Sequence, residues 1–297
     1  MNATSKKRRF KKRYILILFL LLIAGVIIFL NWASTAMSMP ERDQIAYFEQ
    51  HESVMPEYID YQVNGRNIHY AKIQHPDDDA PLILMFHGSP GSLDSYLMYL
   101  ADDSLQYAAH MISVDRPGFG KSDPGKTERD LEAEAALFLP ILEEFKDNKV
   151  ILVGHSYGGP VIARIAMDYP DLVDGMVMVA GSIDPNLEPP IWWQPVIDWW
   201  PIRWMLPQNF VVSNQEIMPL KGELEKMMPL WEHITAPLIV VQGTTDKLVP
   251  AGNADFAYHM MHPDLISIDM VEEGNHFILW TEKERIKKHL FLMMSDE

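Results

Sequence analysis

Short apolar runs that alternate with helical stretches are the feature of this sequence that most restricts its fold. From residue 81 onward, six runs of four to six residues have β-strand character. They lie at 82–86, 111–114, 150–153, 176–179, 238–241 and 265–270. Apolar strands connected by helices are typical of a parallel sheet that is covered on both faces. The sequence therefore predicts a mostly parallel, doubly wound α/β sheet, whose chemistry collects at the carboxyl ends of the strands.

Three further segments complete the predicted organisation. Helices are predicted at about 93–108, 128–146, 158–169, 251–261 and 277–294. Upstream, strand-like runs flank Asn64-Gly65, a pair that favours a two-residue hairpin turn. Residues 184–234 interrupt the alternation, because they contain no clear strand and are rich in proline, tryptophan and methionine. We therefore expect an N-terminal hairpin beside the sheet and one insertion within it.

The N-terminus combines a basic cluster with an apolar segment. Residues 6–13 hold seven cations and no acid, and residues 14–30 follow without a charge. About 17–20 apolar residues span the hydrocarbon core of a bilayer. We predict a basic cytoplasmic segment (1–13), a single transmembrane anchor (14–32) and a tether or short leading helix (33–56). A cleavable signal peptide is the alternative, because Ser34-Thr35-Ala36 supplies small residues at a cleavage site.

Charge and composition restrict the location and the partners. The basic flank favours the cytoplasmic side, so the rest of the chain is expected outside, in the periplasm of a Gram-negative cell. Cleavage would instead give a secreted protein. Beyond the basic cluster, 18 basic residues stand against 41 acidic ones, a formal charge of −23 that argues against nucleic-acid binding. The chain has no cysteine, which excludes disulfides, a thiolate nucleophile and zinc–cysteine sites.

A candidate nucleophile follows the third apolar run. Gly154-His155-Ser156-Tyr157-Gly158 is a G-x-S-x-G pattern between a predicted strand and a predicted helix. The two glycines allow the sharp turn that raises the hydroxyl of Ser156 above the sheet. An isolated G-x-S-x-G arises by chance, but its strand–turn–helix context here predicts a nucleophilic serine.

A serine hydroxyl needs a base, and the base needs an acid that orients it. In this architecture the chain order is serine, then acid, then histidine. Asp246 follows the fifth apolar run and His276 follows the sixth, so both are predicted at the carboxyl edge of the sheet. Asp184 is the competing acid, whereas Glu272 and Glu273 are interpreted as solvated loop charges.

Two main-chain N–H groups are candidates for stabilising an oxyanion. One belongs to Tyr157, directly after the nucleophile. The other belongs to Ser89 in the loop His87-Gly88-Ser89-Pro90-Gly91, which follows the first apolar run. The loop at 115–122 is interpreted as a glycine-rich turn beside the site. Neither phosphate-binding glycine pattern is present.

Together these motifs resemble those of the α/β-hydrolase superfamily. HGSPG, DRPGFGKS, GHSYGG, GTTDKLVP and GNHF occur in the family's order, and the resemblance covers about residues 58–295. It implies an α/β-hydrolase core at 57–183 and 235–297, and hydrolysis through an acyl-enzyme with no metal or organic cofactor. Relatives that open epoxides or displace halide use an aspartate where this chain has Ser156, so those reactions are not expected.

In this superfamily an insertion at the position of residues 184–234 forms a cap. Five of the eight tryptophans of the chain lie between residues 191 and 206 of this segment. Ligand pockets are lined mainly by apolar and aromatic groups, and tryptophan favours the membrane interface, so the rings are candidates for an acyl pocket that opens towards the bilayer. The candidate pocket residues are Trp192, Trp193, Trp199 and Trp200. The alternative is that the rings only attach a small cap to the main domain.

The leading hypothesis is a membrane-anchored serine hydrolase that cleaves a carboxylic ester with a hydrophobic or lipid-like acyl group. Carbon–carbon bond hydrolysis and peptide or amide cleavage use the same triad and are the enzymatic alternatives. A non-enzymatic binding protein is the third, since fold alone does not determine function. Substrate identity and oligomeric state stay open at this stage.

Overall fold

The computed structural model describes residues 3–36, 38–188 and 190–295. The predicted N-terminal segment (1–13), tether (33–56) and cap (184–234) each contain residues outside these ranges. The strands are β1 (Glu57–Val63), β2 (Arg66–Ile73), β3 (Leu82–Phe86), β4 (His110–Val114), β5 (Val150–His155), β6 (Gly175–Val179), β7 (Leu238–Gly243) and β8 (Ile266–Val271).

The helices begin with the long N-terminal helix and end close to the C-terminus. They are α1 (Ala3–Ala36), α2 (Glu41–Gln50), α3 (Leu97–Leu100), α4 (Asp103–Gln106), α5 (Leu131–Ala136), α6 (Leu139–Glu144), α7 (Gly158–Asp168), α8 (Gln194–Asp198), α9 (Trp200–Arg203), α10 (Gln208–Met227), α11 (Gly252–Met260), α12 (Ile278–Thr281) and α13 (Lys283–Met294). Within α1, the segment Lys12–Trp32 is long and apolar enough to cross a membrane and is not buried.

The strands form one sheet in the order β1-β2-β4-β3-β5-β6-β7-β8. β3 to β8 are parallel, and β1 and β2 are antiparallel at one edge. The hairpin forms where Asn64-Gly65 predicts it: Val63 pairs with Arg66, and both turn residues have positive φ, +50° and +74°. The predicted mostly parallel sheet with an N-terminal hairpin is confirmed.

The sheet is buried on both faces. Along β3, Leu82, Leu84 and Phe86 join the core on one face, while Ile83 and Met85 join the core on the other. This explains why its sequence is continuously apolar instead of alternating. The carboxyl ends of all the parallel strands therefore lie at one edge of the sheet, where the loops that follow these strands meet.

Several predicted long helices are broken into shorter ones. The stretch at 93–108 divides into α3 and α4, because the carboxylate of Asp102 accepts from the N–H groups of Ser104 and Leu105 and starts a new helix. The stretch at 128–146 divides into α5 and α6, and Pro140 lies in the first turn of the second helix. Local caps thus decide boundaries that apolar periodicity does not specify.

The middle of the predicted tether packs on the domain as α2. Phe48 is fully buried in the core that faces α3 and α13. The hydroxyl of Tyr58 donates to Gln44 at 2.8 Å, and Lys121 forms an ion pair with Glu41. The chain that leaves α1 is therefore held against the domain from its first residues onward.

The insertion consists mainly of α8, α9 and α10, and no strand occurs among its described residues. It is attached by the buried face of α10, whose apolar members are Val211, Val212, Leu220, Leu224 and Met227. The tryptophans of α8 and α9 and their flanks do not attach it, since Trp192, Trp199 and Trp200 are 84%, 59% and 71% exposed. The interpretation of these rings as attachment residues is therefore wrong.

A buried arginine network (Arg116, Glu134 and Glu216) connects the cap to the core. Arg116 follows β4, Glu134 lies on α5 and Glu216 lies on α10. The guanidinium contacts Glu134 at 3.0 Å and Glu216 at 2.8 Å, and all three side chains are at most 1% exposed. Burial raises the pKa of both carboxyls, while the charge of Arg116 acts in the opposite direction.

Replacing Arg116 by methionine should lower the free energy of unfolding by about 3–5 kcal/mol at pH 8, because two buried carboxylates lose their counter-charge. Without the arginine, burial holds the pKa of Glu134 and Glu216 above the unfolded value near 4.3. The folded variant then takes up protons as the pH falls towards 5, whereas the unfolded chain does not. The destabilisation should therefore shrink between pH 8 and pH 5.

Urea unfolding of the detergent-solubilised chain at both pH values measures this difference. The matched control is Arg285→Met, which breaks a half-exposed 2.7 Å pair with Asp269 and should cost less than about 1 kcal/mol. Equal destabilisation by Arg116→Met at pH 5 and pH 8 would contradict the interpretation of the network.

Candidate active site

Ser156 lies on the turn between β5 and α7 with the left-handed φ of +54°. Such a conformation costs roughly 1–3 kcal/mol for a residue with a side chain. It is held by the main chain, because the N–H of Ser156 donates to Val179 at 3.0 Å and its carbonyl accepts from Gly159 at 2.9 Å. The side chain of this serine is partly exposed at the carboxyl edge of the sheet.

The two glycines of the pattern are required by close backbone approach. A Cβ on Gly154 would lie 2.3 Å from the carbonyl oxygen of Gly158, and a Cβ on Gly158 would lie 2.2 Å from that of Phe86. Neither neighbour is a flexible side chain that could move aside. The spacing predicted from G-x-S-x-G thus has a steric cause in the packing of α7 against β3 and β5.

Asp246 and His276 come together although 30 residues separate them. Nδ1 of His276 contacts Oδ2 of Asp246 at 2.8 Å, and the side chains are 10% and 0% exposed. The other carboxylate oxygen accepts from the N–H groups of Leu248 and Val249, each at 2.8 Å. Because a carboxylate only accepts, Nδ1 carries the proton and Nε2 is left free to act as a base.

The pKa of Asp246 is lowered despite its burial. Burial by itself would raise it, but the hydrogen bond and charge of His276 and the two N–H donors of Leu248 and Val249 outweigh that effect. The carboxylate is therefore ionised wherever the histidine is neutral. In its ionised form it accepts the proton of Nδ1 and so fixes the tautomer of the ring.

His155 connects the serine turn to the histidine loop. Its Nε2 donates to the carbonyl oxygen of His276 at 3.1 Å, and the two rings are 4.9 Å apart. Burial lowers the pKa of His155 to about 4, and the neighbouring His276 acts in the same direction. A neutral ring directly before Ser156 thus sets the position of the His276 backbone.

The competing acids are engaged elsewhere. Oδ1 of Asp184 accepts from the N–H of Asn186 at 2.8 Å and starts a short 3₁₀ helix. Glu272 and Glu273 are exposed on their loop. Of these four candidate acids, only Asp246 contacts His276 in the part of the chain that the structure describes.

The loop at residues 87–91 lies directly against the serine turn. A Cβ on Gly88 would be 2.9 Å from Cβ of Ser156 and 3.1 Å from Nδ1 of His155. Within the described part of the chain, no acceptor is found for the main-chain N–H of Ser89 or of Tyr157. Both donors predicted from the sequence therefore lie on segments that adjoin Ser156.

The arginine network reaches this loop from the opposite side. Nε of Arg116 donates to the carbonyl oxygen of His87 at 2.9 Å, and another guanidinium nitrogen donates to that of Gly88 at 3.2 Å. The same guanidinium lies 4.5 Å from the ring centre of Tyr157. Arg116 thus contacts both segments that carry the candidate oxyanion donors.

The cap also contacts the loop directly. The hydroxyl of Ser89 donates to that of Ser213 on α10 at 2.7 Å, one helical turn from Glu216. Sequence reasoning missed Glu216 and Ser213, because nothing in the pattern of a helix indicates which of its polar residues will face the sheet. Sequence analysis included Arg116 only as a member of the glycine-rich turn predicted beside the site, and it gave this residue no role of its own.

The four tryptophans expected in an acyl pocket are at the surface. Trp192 and Trp193 are 84% and 43% exposed, and Trp199 and Trp200 are 59% and 71% exposed. Trp200 lines an open groove of about 760 Å³ together with Trp204 and the start of α10. None of these four rings is enclosed by the protein, because two short helices, α8 and α9, are too small to bury them.

No group of three or more histidine, aspartate and glutamate side chains that could hold a metal ion is found among the described residues.

Comparison with known proteins supports the fold and a hydrolytic family. Residues 81–211 match the family model described as alpha/beta hydrolase fold. A proline iminopeptidase of Saccharolobus solfataricus is 33% identical over 122 residues, which are 39% of this chain and 38% of that protein. A 2-hydroxy-6-oxononadienedioate/2-hydroxy-6-oxononatrienedioate hydrolase of a Pseudomonas species is 30% identical over 123 residues, 41% of this chain and 42% of that protein. The chain thus aligns with less than half the length of these relatives.

Solved structures match over more of the chain at lower identity. A structure described as a membrane phospholipase A has a TM-score of 0.62 and 18% identity, and the match covers 95% of this chain and 98% of that one. MGS-M2, an alpha/beta hydrolase enzyme from a deep-sea metagenome library, has a TM-score of 0.65 and 12% identity, with 80% and 98% covered. The sheet order, the serine turn between β5 and α7 and the family match together identify the chain as a member of the α/β-hydrolase superfamily.

Proposed function

We propose that this chain is a serine hydrolase that cleaves a carboxylic ester through an acyl-enzyme, with Ser156, His276 and Asp246 as its catalytic triad. The observation that carries the proposal is the buried 2.8 Å contact between His276 and Asp246, on loops adjoining the strained turn of Ser156. A base already held in one tautomer beside a raised hydroxyl is what activates a serine.

In the proposed reaction, Oγ of Ser156 attacks the ester carbonyl carbon while Nε2 of His276 takes the hydroxyl proton. The oxyanion accepts from the N–H groups of Ser89 and Tyr157. When the bond to the alcohol oxygen breaks, His276 returns the proton to that oxygen and the acyl group stays on Ser156. Water, deprotonated by the same histidine, then attacks the acyl carbon. The bond from that carbon to Oγ of Ser156 breaks, His276 returns the proton to Oγ, and the carboxylic acid is released.

The ester bond is the first candidate among the bonds that this triad can break. Two observations support it: the likeness of nearly the whole chain to a structure described as a membrane phospholipase A, and the apolar N-terminal segment. The similarity to a peptidase and to a dienedioate hydrolase makes amide and carbon–carbon bonds the comparison substrates. A panel of p-nitrophenyl esters of increasing acyl length, a prolyl amide and a diketone-type substrate ranks the three. Equal turnover of short and long acyl chains would contradict a hydrophobic acyl group.

Replacing Ser156 by alanine should abolish labelling by a fluorophosphonate probe and all ester turnover, because the attacking oxygen is removed. Asp246→Asn should lower kcat by about 10³–10⁴-fold, since it favours the wrong tautomer of His276. Ser267→Ala, at an exposed serine of β8, and Asp184→Asn are the matched controls and should retain labelling and turnover. Labelling that persists in Ser156→Ala would refute the assignment, and a folded wild type that never labels would favour a binding protein.

Ester turnover should fall as the solution becomes acidic, because a protonated imidazole cannot act as a base. Asp246 does not contribute to this decline, since its pKa is held below the ordinary aspartate value. His155 does not contribute either, because its pKa is about 4. The midpoint of the pH–rate profile should therefore be the same in His155→Gln as in the wild type. A profile flat from pH 5 to pH 9 would contradict the role of His276.

We also propose that Lys12–Trp32 anchors the protein in a membrane, with the N-terminus cytoplasmic and the hydrolase domain outside. The segment has 21 residues and is uncovered by the rest of the chain, and the seven cations of residues 6–13 favour the cytoplasmic side. A cleaved signal peptide is the competing outcome.

The full-length protein should sediment with membranes, resist extraction at alkaline pH and keep its complete mass. Replacing Leu20 and Leu21 by arginine should release it, because each charge at the centre of a span costs about 2.5–3.5 kcal/mol. A soluble product whose N-terminus lies near Ala36 would instead identify a signal peptide.

A further inference from the structure

Five cap residues form what we call the tryptophan surface: Trp192, Trp193, Trp199, Trp200 and Trp204. Each indole is between 43% and 87% exposed, and Val196 and Met205 beside them are 48% and 42% exposed. Taking about 250 Å² for a whole tryptophan side chain, these five rings together leave roughly 860 Å² uncovered. Single exposed apolar residues are normal on a monomer, but five exposed indoles within thirteen residues, on two consecutive short helices and their flanks, indicate a partner.

The tryptophan surface lies close to the point where the chain leaves α1. The loop of residues 115–127 contacts both regions: Lys121 pairs with Glu41 at the start of α2, and the carbonyl oxygen of Pro124 accepts from Gln208 at 2.9 Å. The next residue, Gly125, lines the groove that contains Trp200 and Trp204. Lys121 and Pro124 are three residues apart and so at most about 11 Å.

The connection between α1 and the domain is short. The N–H of Met39 donates to the carboxylate of Asp94 at 2.6 Å, so residue 39 is already attached to the domain. Ala36, the last residue of α1, is three residues earlier, which limits the separation to about 11 Å. A membrane that contains Lys12–Trp32 is therefore within reach of the flank that carries the tryptophan surface.

The composition of the tryptophan surface fits the headgroup region of a bilayer. Indole rings favour that region, because one edge is apolar and the N–H remains hydrated. The charges nearby largely cancel, since the two cations Arg203 and Arg129 both lie within 4 Å of the carboxylate of Asp198 and leave a net charge of +1. The remainder of the chain beyond the basic cluster is strongly acidic and is repelled by anionic lipids. Attachment by aromatic rings, independent of lipid charge, is the mode that this surface supports.

We propose that the tryptophan surface is a second membrane-contact site, which seats the cap in the headgroup region of the bilayer that holds α1. This inference rests on the proposed anchoring of Lys12–Trp32. It gives the α/β-hydrolase domain a fixed orientation, with the cap and the carboxyl edge of the sheet turned towards lipid. The occupant is the bilayer itself, not a second copy of the chain or an acyl group in the active site.

The test uses the full chain with Trp32→Phe, at one copy per nanodisc of phosphatidylcholine. Five of the seven remaining tryptophans belong to the tryptophan surface, and the others are Trp231 and Trp280. Phosphatidylcholine brominated near the top of its acyl chains should quench at least about half of the emission. Bromine near the bilayer centre should quench less, and added salt or anionic lipid should change little.

A variant that also carries Trp199→Ser, Trp200→Ser and Trp204→Ser should lose at least half of the quenching, whereas Trp280→Phe should not. Quenching should persist after the active site has been blocked by a long-chain fluorophosphonate. Equal emission in brominated and ordinary nanodiscs would overturn the proposal. So would quenching that disappears when the active site is blocked, because the rings would then contact a bound acyl chain.

The same samples separate this proposal from the proposals on which it builds. If the Trp32→Phe chain labels with the fluorophosphonate and stays in the nanodisc but shows no quenching, the tryptophan surface alone is refuted. A chain that does not label refutes the hydrolase proposal, and a chain that leaves the nanodisc refutes the anchor. If the chain shows no quenching at one copy per disc and forms dimers in detergent, the tryptophan surface would instead be assigned to contact with a second copy of the chain.

Discussion

The arginine network is the interaction on which the candidate site most depends. Arg116 donates to the carbonyl oxygens of His87 and Gly88 and lies against the ring of Tyr157, while Glu134 and Glu216 neutralise its charge. One fully buried cation therefore contacts the loop after β3, the helix that follows Ser156, and the cap. Its position is costly to change, because any displacement leaves buried charges without partners.

The candidate site combines this network with a second set of contacts around Ser156. Asp246 is ionised by the donors around its carboxylate, and it holds His276 in one tautomer. His155 stays neutral because it is buried, and it fixes the His276 backbone. The ionised Asp246 and the neutral His155 thus position His276, the candidate base. The arginine network positions the segments that carry the candidate oxyanion donors. The serine turn lies between them.

Several elements could be predicted from the sequence because local chemistry decides them. The hairpin at Asn64-Gly65, the eight strands and the turn of Ser156 depend on residues that are adjacent in the chain. The broken helices were not predicted, since apolar periodicity continues across Asp102 while its carboxylate starts a new helix. The tryptophans were misjudged for a related reason: residue type indicates that a ring prefers an apolar environment, but not whether protein or lipid supplies it.

The sequence by itself determined the parallel sheet, the position of Ser156 and the order in which acid and histidine follow it, because strand period and turn chemistry act over a few residues. Only the tertiary structure decided that Asp246 and not Asp184 contacts His276, and that Glu216 of the cap closes the arginine network. Those choices depend on which loops and helices meet at the carboxyl edge. Contacts between residues 30 to 100 positions apart arise from packing of the whole domain, and no local pattern encodes them.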